Sequence, residues 1–235
     1  MVNTFLPYES FEKSAQVLDE RRLGKQRSEA VQILHILEDL EFLSKELDIP
    51  MPMELPKSTT KTDPWHKWIL DIIRKYQNLP YRYAKIKLTR MQPIPVDIDI
   101  IKQYGLTSDT YTKVPLSVMY TLKRCKNTCI RIINKGHCYH PLVKMWIGYN
   151  DALKHYINCV IQEWINRGND NNMYIYPIPS SFKRPPWTYN PKVHENHRAA
   201  LIDKEISRKE KPWYIHMPDF KELANTFVDY IWVIE

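Results

Sequence analysis

One segment concentrates residue types able to do chemistry: Asp19-Glu20-Arg21-Arg22-Leu23-Gly24-Lys25-Gln26-Arg27-Ser28-Glu29-Ala30. On a helix, positions three, four and seven apart share a face. Arg22, Lys25, Gln26 and Glu29 therefore form one polar stripe, while Leu23, Ala30, Ile33 and Leu34 lie towards another face. Arg21 and Arg27 flank the stripe. Four cations around one carboxylate suggest phosphate binding beside an acid–base group. The same residues also suit a solvated helix face carrying a Lys25–Glu29 pair worth about 0.3–0.5 kcal/mol. Gly24 fits that second reading poorly, because glycine inside a helix costs roughly 1 kcal/mol relative to alanine. It implies close approach of backbone or ligand, or a helix that begins after it.

The elements that must position this stripe can be read from periodicity. The section up to about Leu47 is helical, with Asp19 as N-cap and Ala30, Ile33, Leu34, Leu37 and Leu40 at helical spacing. Ile49 to Pro64 carries four prolines with Ser and Thr, which makes it a loop or linker. Trp65, Trp68, Ile69, Ile72, Ile73 and Tyr76 then make an amphipathic stripe. Asp97 to Tyr104, ended by Gly105, reads as a short helix with a glycine cap, and Pro115 to Lys126 as another. Ile130 to Ile133 is too short to separate helix from strand. One long helix is expected from Pro141 to Gly168, with Trp146, Tyr149, Leu153, Tyr156, Val160 and Trp164 in register. A final section rich in Pro, Trp and basic residues holds Pro185-Pro186-Trp187, a helix near His194 to Ser207, and Lys211-Pro212-Trp213-Tyr214.

The 235 residues carry a formal net charge of +7 and a sequence pI of about 9.1, with 7 Trp, 15 Tyr and 17 Pro against 5 Gly. A basic chain calls for an anionic partner or simply has a basic surface; nucleic acid is the commonest such partner, because Lys and Arg release counterions from phosphates. No stretch reaches the ~18 apolar residues of a membrane span, and the N-terminus lacks signal-peptide regions. An intracellular protein is expected, with Cys125, Cys129, Cys138 and Cys159 as reduced thiols. Cys125 and Cys129 followed by His137, Cys138 and His140 contain metal-ligand types, but at irregular spacing for structural zinc. Lys123, Arg124, Lys126, Arg131 and Lys135 could extend a DNA footprint or form a solvated face. The scattered glycines exclude a phosphate-binding glycine loop.

Several pieces in order carry a resemblance: Met1-Val2-Asn3-Thr4-Phe5-Leu6-Pro7 and Leu18-Asp19 to Glu29; His140-Pro141, Met145-Trp146, Gly148-Tyr149, Ala152-Leu153 and Tyr156; Glu163-Trp164 and Arg167-Gly168; Pro185-Pro186-Trp187, His194, His197-Arg198, Leu201, Lys204, Tyr230 and Trp232. Together they resemble the pyrimidine-dimer DNA glycosylase (endonuclease V) family, in its longer cellular-type members, over roughly the first 47 and the last 100 residues. The resemblance implies a mainly α protein with a compact three-helix core, residues 1–47 and 136–235, and a largely helical insertion, 48–135, of undetermined role. It implies an enzyme that bends DNA, flips a nucleotide, cuts the glycosidic bond through an imine on the processed N-terminal amine, and breaks the backbone by elimination. Carried over, the amine is that of Val2 once Met1 is removed, the carboxylate is Glu29, and Arg22 stands beside it where the short phage enzyme has a histidine.

Elementary chemistry agrees with that assignment. An α-amine has a reference pKa near 7.7–8.0, so much of it is neutral at physiological pH, whereas a lysine near 10.4 would need a large shift. Arg22 and Lys25 would push the amine further towards neutrality, and Glu29 could hold a proton or stabilise a sugar cation. No metal or organic cofactor is required. Double-stranded damaged DNA is the expected partner of a monomer, with Arg21, Lys25, Arg27, Arg198 and Lys204 as phosphate ligands and His140, His194 and His197 touching phosphate or lining the site. Trp213 and Tyr214 resemble a Trp-Tyr element near DNA and either stack on a base or pack the C-terminal segment. A non-catalytic nucleic-acid-binding module and a glycosylase for another lesion are the competing readings.

Overall fold

The computed structural model describes residues 4–52, 63–88, 98–124, 130–133, 137–209 and 212–231. Among them, helices dominate. α1 (Phe11–Val17) is capped by the Ser10 side chain, which accepts from the Lys13 amide. A two-residue turn leads to α2 (Glu20–Glu46), where Asp19 accepts from the Arg22 amide at 2.9 Å, as its N-cap residue type requires. Glycine does not interrupt α2. A Cβ on Gly24 would stand 3.0 Å from the Trp164 ring, so the residue admits a close approach of side chain to helix.

The Trp65 stripe forms α3 (Pro64–Gln77), with all six of its apolar residues buried. Then follow β1 (Tyr81–Ile86), α4 (Ile98–Gln103), β2 (Thr112–Pro115), α5 (Leu116–Arg124) and β3 (Ile130–Ile132). The strands form an antiparallel sheet in the order β2-β1-β3, with Ala84 opposite Thr112 on one side and Ile132 on the other. The insertion expected to be largely helical therefore includes a sheet. The ambiguous run at Ile130 is its third strand. Ala84, Leu106, Val114, Met119 and Leu122 make a small core there, separate from the main one. The sheet is fastened to α2 by polar contacts: Arg131 pairs with Glu38 at 2.8 Å and with Asp39, Tyr111 donates to Asp39, and Tyr83 donates to Glu46 at 2.8 Å. Arg131 is thus neither a DNA ligand on a free face nor a solvated charge, because its guanidinium is spent on α2. Lys123 and Arg124 stay exposed on α5; Lys126 and Lys135 lie outside the described residues.

The single helix expected from Pro141 to Gly168 is two, α6 (Pro141–Trp146) and α7 (Asn150–Asn166). The break falls at Gly148, whose φ of +79° lies outside the helical region. Both α6 and α7 pack on α2. Lys144 of α6 pairs with the Asp63 cap of α3 in the interior, and Arg167 just past α7 donates to the Gln16 carbonyl in α1 and the Leu18 carbonyl in the turn before α2. α8 (Pro191–Ser207) carries His194, His197, Arg198 and Lys204, and α9 (Phe220–Leu223) packs on it. α1, α2, α6, α7 and α8 enclose the main core around Phe11, Trp146, Tyr156 and Trp187. No described helix is long and apolar enough to cross a membrane.

Candidate active site

The polar stripe of α2 opens into a cavity of about 150 Å³ lined by Phe5, Arg21, Arg22, Lys25, Gln26, Glu29, Lys204 and Arg208. Five cations thus surround one carboxylate. Glu29 is buried at 7% exposure, far from the solvated face that its i,i+4 spacing to Lys25 also allowed. Its Oε1 meets Lys25 Nζ at 3.2 Å and its Oε2 accepts from Gln26 Nε2 at 3.3 Å. Lys25 itself stays mostly exposed at the rim.

Gln26 is the hub. Its Oε1 accepts from the Phe5 amide at 2.9 Å and from the Tyr156 hydroxyl at 3.0 Å, while its amide nitrogen turns to Glu29. Two donors on one oxygen fix the orientation of the carboxamide. The single Tyr156 hydroxyl hydrogen is shared with the Phe5 carbonyl at 2.8 Å. Burial pushes this phenol far above its ordinary value, so it stays a donor. The segment after the N-terminus is thereby tied, at Phe5, to the residue that orients Glu29.

The same segment is also held at Thr4, Leu6 and Pro7. Trp146 donates its indole N–H to Thr4 Oγ1 at 3.1 Å, and the Leu6 amide donates to His197 Nδ1 at 2.9 Å. His194 Nδ1 lies 2.8 Å from the Leu6 carbonyl, and Arg198 donates to the Pro7 carbonyl at 2.7 Å. Burial, reinforced by His194, lowers His197 to about 3, which keeps it neutral and able to accept from Leu6. Burial likewise lowers His194.

These contacts reassign several expected DNA ligands. His194 and His197 are buried clamps on Leu6. Arg198 is occupied by Pro7 and by Asp219 at 2.7 Å. Tyr214 is buried and donates to Asp19 at 2.5 Å, so its ring packs rather than stacks on a base. Arg22, at 9% exposure, pairs with the same Asp19 at 2.6 Å and lies over the Tyr214 ring. Arg27 points away from the cavity and rests on the Trp164 ring at 3.8 Å. His140 caps α6 by accepting from the Leu142 amide at 3.3 Å. Trp213 is exposed with its indole on the Val17 carbonyl, and Arg21 is exposed at the cavity mouth. The structure brings Arg21, Arg22, Lys25, Glu29 and Lys204 together. Val2 lies outside the described residues.

Four site residues were missed: Gln26, Tyr156, Phe5 and Arg208, the last a cation just past α8 that lines the cavity. Gln26 stood on the polar stripe three positions before Glu29, and that spacing was the available signal. Tyr156 lay inside the resemblance but read as core, and Phe5 carried no chemical signal at all. Of the residues with metal-ligand types, Cys125 and Cys129 lie outside the described set. Among the described residues, Glu12, His155 and Cys159 hold ligand atoms within 4.8 Å of one another, away from the cavity. There the Cys159 thiol donates to Glu12 at 3.4 Å, and burial first, then Glu12, pushes it well above the ordinary thiol value.

A cation-lined cavity around one buried carboxylate, set beside residues 4–7, has the chemistry of a site for an anionic substrate beside an acid–base group. The family model for pyrimidine dimer DNA glycosylase matches residues 2–85 and 121–176, more than half of the chain, and the chain belongs to that family. The match runs further into the insertion than the resemblance did and stops before α8, the helix that holds Leu6. No curated protein and no solved structure matches the chain.

Proposed function

We propose that this protein is a DNA N-glycosylase with abasic-site lyase activity on ultraviolet-damaged duplex DNA, working as a monomer through the Val2 α-amine. The observation that carries the reading is the chain of hydrogen bonds from the Phe5 amide through Gln26 to Glu29. Three residues span at most about 11 Å, so an amine at residue 2 is tethered within reach of that carboxylate.

In this reading the neutral amine attacks C1′ of the flipped nucleotide and the glycosidic bond breaks with its electron pair on the base. Ring opening gives an imine. Glu29 stabilises the positive charge at C1′ and then takes the C2′ proton, and the 3′ phosphate leaves by elimination. Arg22, fixed by Asp19, supplies positive charge that favours the neutral amine. Arg21, Lys25 and Arg208 at the cavity receive the backbone phosphates.

The test compares irradiated, abasic and intact duplexes side by side. Borohydride is expected to cross-link the protein to abasic DNA through residue 2, and Glu29→Gln to lower strand cleavage by about 10²-fold or more while binding persists. Cleavage that continues after the α-amine is blocked would defeat the nucleophile assignment.

A further inference from the structure

The glycosylase step needs a proton as well as a nucleophile, because the pyrimidine leaves C1′ with an electron pair. Glu29 is poorly arranged to give one, since both its oxygens already face donors, Lys25 and Gln26. The arginines of the cavity are effectively never deprotonated, and Lys25 is exposed and committed to Glu29.

Lys204 differs from all of them. It reaches the cavity from α8 half-buried, with Nζ 4.6 Å from the centre of the Phe5 ring and 4.9 Å from that of Tyr230, and it donates to the Tyr230 hydroxyl. Its head group is therefore held in place by aromatic residues from the two ends of the chain, unlike a phosphate ligand at a solvated rim. Around it stand Arg22, Lys25 and Glu29 from α2, and Arg208 just past α8. Burial first, and then Arg22, Arg208 and Lys25, bring its ammonium down to about 8, against a weaker opposing pull from Glu29. An acid is most useful when its pKa lies near the working pH.

We propose that Lys204 is the general acid of the glycosylase step, passing an ammonium proton to the departing pyrimidine. The proposal rests on the function stated above. The α-amine forms its bond to C1′, the bond from C1′ to the base breaks, and the electron pair on the base is neutralised by the Nζ proton. Nζ, left as a free amine, takes the surplus proton from the new C1′–nitrogen cation and returns to its starting state.

An abasic site has already lost its base, which separates this role from phosphate binding. Single-turnover rates would be measured on ultraviolet-dimer duplex and on preformed abasic duplex, for the wild type, Lys204→Met and Lys204→Arg. Both variants are expected to lose about 10²-fold or more on dimer DNA, and at least tenfold more there than on abasic DNA. Equal losses on the two substrates, smaller losses on dimer DNA, or a wild-type dimer rate in Lys204→Arg would overturn the proposal and mark Lys204 as a phosphate ligand or packing residue. A wild-type protein inactive on both duplexes would instead remove the underlying function, and the proposal with it. Wild-type activity on abasic DNA alone would overturn the proposal while leaving the lyase intact.

Discussion

Replacing Gln26 by leucine tests whether the N-terminal segment is held by the hydrogen bonds that orient Glu29. Leucine has a similar size and keeps the apolar stem at a position that is 1% exposed, so the perturbation is the loss of the carboxamide. The Phe5 amide then lies buried without its acceptor, which costs about 1–3 kcal/mol. Glu29 Oε2 loses a neutral donor at 3.3 Å, a long bond worth about 1 kcal/mol. Tyr156 keeps the Phe5 carbonyl and contributes little to the loss. The sum is about 2–4 kcal/mol, and at this chain length each kcal/mol moves Tm by about 2–4 °C. A fall of about 5–15 °C is expected by circular dichroism, together with reduced borohydride trapping. Gln26→Glu separates the two tasks: its carboxylate still accepts from Phe5 but cannot donate to Glu29 and places a second negative charge beside it. It should recover part of the stability at mildly acidic pH and little of the cleavage. A Gln26→Leu protein within about 2 °C of wild type, trapping DNA at the wild-type rate, would refute this account of the clamp.

Two further outcomes follow from the buried polar network and the helix contact. His197 falls from about 6.5 unfolded to about 3 folded, so the stability it gives is present above pH 6.5 and lost as pH falls towards 3. Between pH 6.5 and 5 this amounts to about 2 kcal/mol; His197→Asn, which keeps an acceptor for the Leu6 amide, should lose that part of the decline in Tm, and parallel pH profiles would refute the assignment. Gly24→Ala should not yield the roughly 1 kcal/mol that helix propensity offers, because the new Cβ meets Trp164 at 3.0 Å while Trp164 is held by the Asp170 carbonyl; a Tm rise of about 2–4 °C would show that the ring yields freely.

The sequence made α2 and α3 legible because Asp19 and the apolar repeats act locally, although Pro64, read as the end of the preceding loop, is the first residue of α3. It also made the Arg22–Glu29 stripe legible, since helical spacing alone places those residues together. What it could not convey was direction. A stripe of charges at i,i+3 and i,i+4 looks the same facing water or facing a cavity, and only the packing of α8 and Phe5 over it turns Glu29 inward. Gly148 was read as part of a continuous helix because the apolar register of Trp146, Tyr149 and Leu153 survives the break. The sheet of the insertion was hidden for a related reason: its strands are only three to six residues long, too short for a period-2 pattern to stand out.

The histidines His194 and His197 show most clearly how function was misread and then recovered. Basic and titratable residues near the end of a DNA-binding chain suggest phosphate contacts, yet their ring nitrogens face residue 6. Chain ends ordinarily fray, since each ordered residue costs about 1–2 kcal/mol of backbone entropy. Simple packing of Phe5 and Leu6 could offset that cost without any polar clamp. Here Thr4, Phe5, Leu6 and Pro7 are each held by a directed hydrogen bond, supplied by Trp146 of α6, Gln26 of α2, and His197 and Arg198 of α8. Apolar burial fixes depth, but hydrogen bonds fix rotation and register along the segment, which the proposed amine chemistry requires. So many buried polar groups directed at residues 4–7 fix the rotation and register of that segment beyond what its apolar burial requires.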